Sequence, residues 1–127
     1  MVKSMVNPLP DNPQERKRIP IATGFLDYFP LAVIEIARLS MIGNEQHNPG
    51  TPLHWDRSKS GDESDAMMRH FLERGTRDTD GVRHSVKVAW RAMALLQKEL
   101  EEERAQEERD KPGSFEDGVM SFRDSKF

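Results

Sequence analysis

Three carboxylates are set apart by type and position: Glu35, Asp62 and Asp65. Glu35 sits among Val33, Ile34, Ile36, Ala37 and Leu39, in the most apolar stretch of the chain. A carboxylate buried there costs several kcal/mol unless it is paired or bound to a metal. An ion pair with Arg38 or Arg69 is the structural alternative to a ligand role. Asp62 and Asp65 have a spacing that places both carboxylates on one helix face, although a solvated face has the same spacing. With Glu35 opposite them, two antiparallel helices can surround one or two divalent ions with oxygen. Such ligation suits Mg2+ or Mn2+, and Mg2+ favours sharing phosphate oxygens with its substrate. His84, Lys87 and Arg91 recur at helical spacing further on. The Lys and Arg can clamp a polyphosphate; a solvated basic stripe is the plainer reading.

Other chemistries find little support. No glycine-rich phosphate loop and no discriminating Ser/His/Asp spacing is present. The chain has no cysteine, which excludes a disulfide scaffold, a thiolate nucleophile, an iron–sulfur cluster and a Cys-ligated zinc. The histidines, His47, His54, His70 and His84, match no strong zinc spacing.

The elements that must position these residues read as helices. Residues 1–20 hold prolines at 8, 10, 13 and 20 and the cluster Arg16-Lys17-Arg18, so residues 1–16 read as an extended arm through which no helix runs. Pro30 suits the first turn of a helix, and residues 31–42 are apolar nearly all round, which predicts a central helix. Gly43-Asn44 is expected to end it. Residues 43–61 then form a long loop of the kind that is usually functional or disordered. Ser60 with Glu63 reads as a capping box for a helix over 62–74, with Asp62, Asp65, Arg69 and Glu73 along one stripe. A long helix over 82–110 has Val86, Ala89, Trp90, Met93, Leu96 and Leu100 as its apolar face, with His84, Lys87, Arg91 and Lys98 opposite. Its last part is almost purely charged and reads as a solvated extension supported by Glu–Arg pairs. Residues 111–127 form a flexible tail that carries Phe115, Phe122 and Phe127. No strand and no internal repeat is evident.

The 127 residues are 35% hydrophobic and 32% charged, with a formal net charge of −3. This balance gives no bulk attraction to nucleic acid or to an anionic membrane. No apolar run is long enough to span a bilayer, and none resembles a signal peptide. A cysteine-free chain without such a run fits a reducing cytoplasm.

Several stretches together resemble a known family: Tyr28-Phe-Pro, Gly43-Asn-Glu-Gln-His-Asn-Pro-Gly, Pro52-Leu-His-Trp, Asp65-Ala-x-x-Arg69-His70, Asp78-x-Asp80-Gly81-x-x-His84 and Ala89-Trp90-Arg91. In order and spacing, over about residues 17–100, they resemble the phage-type dATP/dGTP diphosphohydrolases of the MazG-like all-α nucleoside triphosphate pyrophosphohydrolase superfamily. The superfamily places one acidic pair on each of two helices, and Asp62-x-x-Asp65 resembles the second. Arg38 stands where the first pair would have its second carboxylate, so Asp80, Asp78 or Glu45 is left to supply that ligand.

The resemblance implies an all-α, MazG-like helical bundle completed by oligomerisation, with residues 17–110 as the nucleotide pyrophosphohydrolase domain. It implies hydrolysis of a purine deoxynucleoside triphosphate, dGTP or dATP, to the monophosphate and pyrophosphate. Two or more Mg2+ or Mn2+ ions would be held by Glu35, Asp62, Asp65 and Asp80, with Glu35 also orienting the attacking water. Lys87, Arg91, Lys59 and His84 would bind phosphate, and Ile19, Tyr28, Asn44 and Trp55 the base. Expected besides are a homodimer or homotetramer, no membrane and no stable nucleic-acid partner, and a place in the host cytoplasm if the chain is phage-encoded. Two rival readings remain at this stage: a His-metal, HNH-like nuclease built on His47-Asn48 and His54, and a non-enzymatic helical phage adaptor docking through residues 98–127.

Overall fold

The computed structural model of the chain describes residues 7–112. It is helical, with α1 (Pro13–Lys17), α2 (Pro30–His47), α3 (Glu63–Leu72) and α4 (His84–Arg109). A π-turn at Ala22–Leu26 and a 3-10 turn at Arg57–Lys59 complete the elements. No β-strand occurs among the described residues; one antiparallel bridge joins Arg77 and Arg83. The chain divides into two units between Trp55 and Asp56. The expected tail, with its three phenylalanines, lies outside the described residues beyond Pro112, as do residues 1–6 of the expected arm.

In the first unit the arm is not wholly extended. Pro13 starts α1, where its missing N–H is no loss, and Asn12 caps it by accepting from the backbone N–H groups of Gln14 at 2.8 Å and Glu15 at 3.0 Å. Proline thus permits this helix by standing at its first position. In the π-turn, Asp27 N–H donates to the Ala22 carbonyl at 2.8 Å, and Gly24 N–H donates to the Pro20 carbonyl at 2.7 Å. Phe29 packs edge-on against both Phe25 and Tyr28, each at 5.9 Å between ring centroids.

Helix α2 runs five residues further than the sequence suggests. Gly43-Asn44 does not end it: both residues stay helical, and open space surrounds the Gly43 Cα. Asn44 instead uses its side chain to fasten the following turn, donating from Nδ2 to the Thr51 carbonyl at 3.0 Å. The helix stops at Asn48-Pro49-Gly50, because a residue before proline is pushed out of the helical region and Gly50 adopts a φ of +83°. The expected long loop is shortened accordingly. Helix α2 is not enclosed either: Leu31 is 79% exposed, Ile34 and Met41 are exposed too, and no apolar side chain of the first unit's described residues is buried. Among the described residues no single helix is long and apolar enough to cross a membrane; Pro13–Leu26 and Pro30–His47 reach that composition only as a pair bent by 88°.

In the second unit α3 and α4 pack against each other. Ala66 and Ala94, 2% and 4% exposed, are the buried apolar residues among those described. The predicted capping box takes another form. Asp62 holds the capping position, but its side chain makes no capping bond to the helix backbone. Ser60 Oγ bonds the Glu63 carboxylate, and Lys98 Nζ reaches the Ser60 carbonyl and Glu63 Oε2, the latter at 2.8 Å. Arg57 also grips Glu101 in a bidentate pair at 2.7 and 3.0 Å. That pair, with Gln97, draws the Glu101 carboxyl down to about 2.

A Cβ built on Gly24 would lie 2.8 Å from Pro20 Cγ, a ring atom that cannot swing away. Gly24→Ala should therefore cost about 1–3 kcal/mol in urea unfolding, as overpacking generally does. Adding Pro20→Ala should recover part of that loss, whereas independent effects would simply add.

Candidate functional site

The side of α4 that faces α3 is the polar one. His84, Lys87, Arg91, Ala94 and Lys98 recur every three or four residues, and their partners come from α3 and its flanking segments. The expected apolar face runs the other way, with Met93, Leu96 and Leu100 exposed. The reason lies in what α3 offers. Its small Ala66 lets the backbones approach, and Glu63, only 5% exposed, requires a cation; an unpaired buried carboxylate is prohibitive. Burial alone would push the Glu63 carboxyl up, but the Lys98 ammonium and Ser60 hydroxyl leave it below its ordinary value.

The turn between α3 and α4 is built around Lys87. Its Nζ contacts Asp78 Oδ2 at 2.7 Å and Asp80 Oδ2 at 2.8 Å. The other oxygens of the two carboxylates accept from the backbone of Thr79 at 2.7 Å and Val82 at 3.0 Å. Gly75 and Gly81, with φ of +89° and +85°, allow the chain to reverse on either side, a conformation that glycine adopts without steric cost. Lys87 lowers the Asp78 carboxyl, and burial of the ammonium is outweighed by its two carboxylates, so Lys87 is raised.

This turn brings together two histidines distant in sequence. His70 Nδ1 lies 2.8 Å from His84 Nδ1, and Glu73 Oε1 lies 2.9 Å from His84 Nε2. His84 is 5% exposed. With Glu73 accepting from Nε2–H, a neutral His84 leaves Nδ1 as the acceptor for Nδ1–H of His70; this tautomer follows from the partners. Burial, aided by the Lys87 charge, lowers His70 and favours its neutral ring.

The residues expected to bind metal are distributed across both units. Glu35, in the first, is exposed rather than buried and pairs with Arg38 at 3.3 Å, so the pairing weighed against a ligand role is present in this form. Asp62 is exposed and precedes α3, so it does not share a helix face with Asp65 as a helical residue; its Oδ2 meets Arg69 at 3.1 Å, which, with Arg91 nearby, lowers its carboxyl. Asp65 is exposed in the first turn of α3, and Asp80 is engaged by Lys87.

Among the expected phosphate ligands, Arg91 keeps spare capacity: its buried Nη1 makes no hydrogen bond and lies 3.9 Å from Asp62. Lys87 is occupied by two carboxylates, and Lys59 stands 3.9 Å from Asp56. His84 does not fit the expectation of a phosphate ligand, because it is buried and both ring nitrogens face side-chain partners. Of the expected base contacts, Ile19 and Tyr28 are exposed, Trp55 is half-buried, and Asn44 is buried with Oδ1 accepting no hydrogen bond.

A family model described as dATP/dGTP diphosphohydrolase, N-terminal, matches residues 11–108. The chain belongs to this family. The matched span covers both Glu35 and the polar seam between α3 and α4. No curated protein and no solved structure matches the chain significantly. The nuclease reading gains nothing: no strand follows His47-Asn48 among the described residues.

Lys87→Met would leave Asp78 and Asp80 without their shared cation. The amides of Thr79 and Val82 should then exchange about tenfold faster, a loss of about 1.4 kcal/mol of local stability. Unchanged exchange at both would show that Lys87 does not hold the turn.

Proposed function

We propose that the chain hydrolyses a purine deoxynucleoside triphosphate, dGTP or dATP, to the monophosphate and pyrophosphate with the help of Mg2+ or Mn2+. The observation that carries this reading is the family match across residues 11–108. The residues fit the chemistry. Glu35, Asp62, Asp65 and Asp80 are hard oxygen donors of the kind these ions prefer, and the carboxylate of Asp65 is exposed on the first turn of α3. A bound ion would neutralise triphosphate charge and lower the pKa of a coordinated water. Glu35 would orient that water for attack. Arg91, whose Nη1 makes no hydrogen bond, would take a phosphate oxygen, with Lys87 and Lys59 adding positive charge. Phosphoryl transfer depends chiefly on positioning and charge stabilisation, so no covalent nucleophile is required.

The exposed ring of Tyr28 offers a stacking face for the base, and Asn44 Oδ1 an acceptor for an exocyclic amine; Ile19 and Trp55 complete the proposed base contacts. The outward Met93, Leu96 and Leu100 of α4, and Leu31, Ile34 and Met41 of α2, support assembly into a homodimer or homotetramer, since apolar side chains left exposed in this number favour burial against a partner. In a phage-infected cytoplasm such an enzyme would withdraw one purine nucleotide from the pool used for DNA synthesis.

Each dNTP, incubated with the protein and Mg2+ or Mn2+, tests the reading. Pyrophosphate should form from dGTP or dATP, and Glu35→Ala or Asp65→Ala should reduce the rate about a hundredfold or more, the scale expected for loss of a preorganised electrostatic group. Failure to turn over any dNTP with either ion would refute it, and release of orthophosphate alone would point to a different phosphohydrolase.

A further inference from the structure

The histidine pair at the α3–α4 turn has more partners than an imidazole–imidazole hydrogen bond needs. His70 comes from the last turn of α3, Asp78 from the turn, and His84 from the first residue of α4. One ligand atom from each lies within 4.8 Å of the others. The two Nδ1 atoms face each other at 2.8 Å. In a tetrahedral site with metal–nitrogen bonds of about 2.0–2.1 Å they would stand roughly 3.3 Å apart, so a small outward rotation of the rings admits an ion. Glu73 already holds the far nitrogen of His84 at 2.9 Å. That is the outer carboxylate which fixes the tautomer of a metal-ligating histidine and raises its basicity. Asp78 keeps lone pairs beyond those used by Lys87 and Thr79.

We propose that His70, Asp78 and His84 bind one divalent transition ion, with Glu73 orienting His84 from behind. Two imidazoles and a carboxylate select a borderline cation such as Zn2+ or Co2+ over Mg2+, which prefers oxygen throughout. Three protein ligands leave a coordination position open. The site is distinct from the oxygen ligands assigned to the nucleotide-bound ions, and it stands whether or not the chain hydrolyses a dNTP.

Metal-free full-length protein titrated with Co2+, read by its visible absorption, and with Zn2+, read by calorimetry, tests the proposal. One ion per chain should bind, with a rise in melting temperature. His70→Ala and Asp78→Asn should each weaken binding more than about tenfold, while His54→Ala leaves it unchanged. Long-range 1H–15N spectra of the unaltered protein give a readout free of folding defects: Zn2+ should shift the imidazole nitrogens of His70 and His84 together. Absence of stoichiometric binding overturns the proposal. So does binding that persists in folded His70→Ala, or Zn2+ shifts confined to His47 and His54, and the pair is then a hydrogen-bonded one only.

Discussion

The second unit depends on one constraint: α3 presents a buried carboxylate, Glu63, to α4, and α4 must answer it with a cation. Lys98 does so, and its position fixes the rotation of α4 about its axis. Once Lys98 faces α3, the helical repeat turns Arg91, Lys87 and His84 to the same side. Each finds a partner there: Asp62 for Arg91, Asp78 and Asp80 for Lys87, His70 and Glu73 for His84. Met93, Leu96 and Leu100 are thereby directed outward. A hairpin built in this way concentrates charge where the helices meet and leaves apolar side chains of α4 exposed.

This arrangement links folding to chemistry. Buried or half-buried groups held by specific partners keep defined positions, which is the condition for recognising a charged substrate. Lys87 is the clearest instance, held between Asp78 at 2.7 Å and Asp80 at 2.8 Å. The same seam explains why the turn after α3 is ordered around Lys87 rather than around an apolar contact. The first unit is organised differently. Its fixed points are the Gly24–Pro20 contact and the Asn44 clamp on Thr51, and many of its large apolar side chains, such as Tyr28 and Leu31, stay exposed.

Much of the helical layout was legible because long periodic segments and cap residues are local signals. Pro30 marked the start of α2, and the charged end of α4 was readable as a continuing helix. The end of α2 was not, because Gly43-Asn44 permits a cap without requiring one, and the decisive signal was the Asn48-Pro49-Gly50 stop. Which side of α4 meets α3 is not legible for a related reason. Amphipathicity shows that two faces differ; it does not say which one meets α3 when α3 carries Glu63. Glu35 was read as buried because its neighbours are apolar, yet α2 leaves much of that surface open. The His70–His84 pair spans fourteen positions, beyond any short metal motif. It could have been anticipated by folding the two predicted helices into a hairpin, which puts the end of α3 beside the start of α4. The family resemblance is carried partly by turns, as in Pro52-Leu-His-Trp and Asp78-x-Asp80-Gly81, and partly by helix interiors, as in Ala89-Trp90-Arg91.

The central claim is that paired charges, not an apolar interface, hold α3 to α4. A double-mutant cycle on Glu63 and Lys98, followed by urea unfolding, tests it most directly. Lys98→Met should cost about 3 kcal/mol by stranding the carboxylate, and the Glu63→Leu/Lys98→Met pair should return to within about 1 kcal/mol of the original protein. Effects that add within about 0.5 kcal/mol would show the two residues to be uncoupled and would contradict the account.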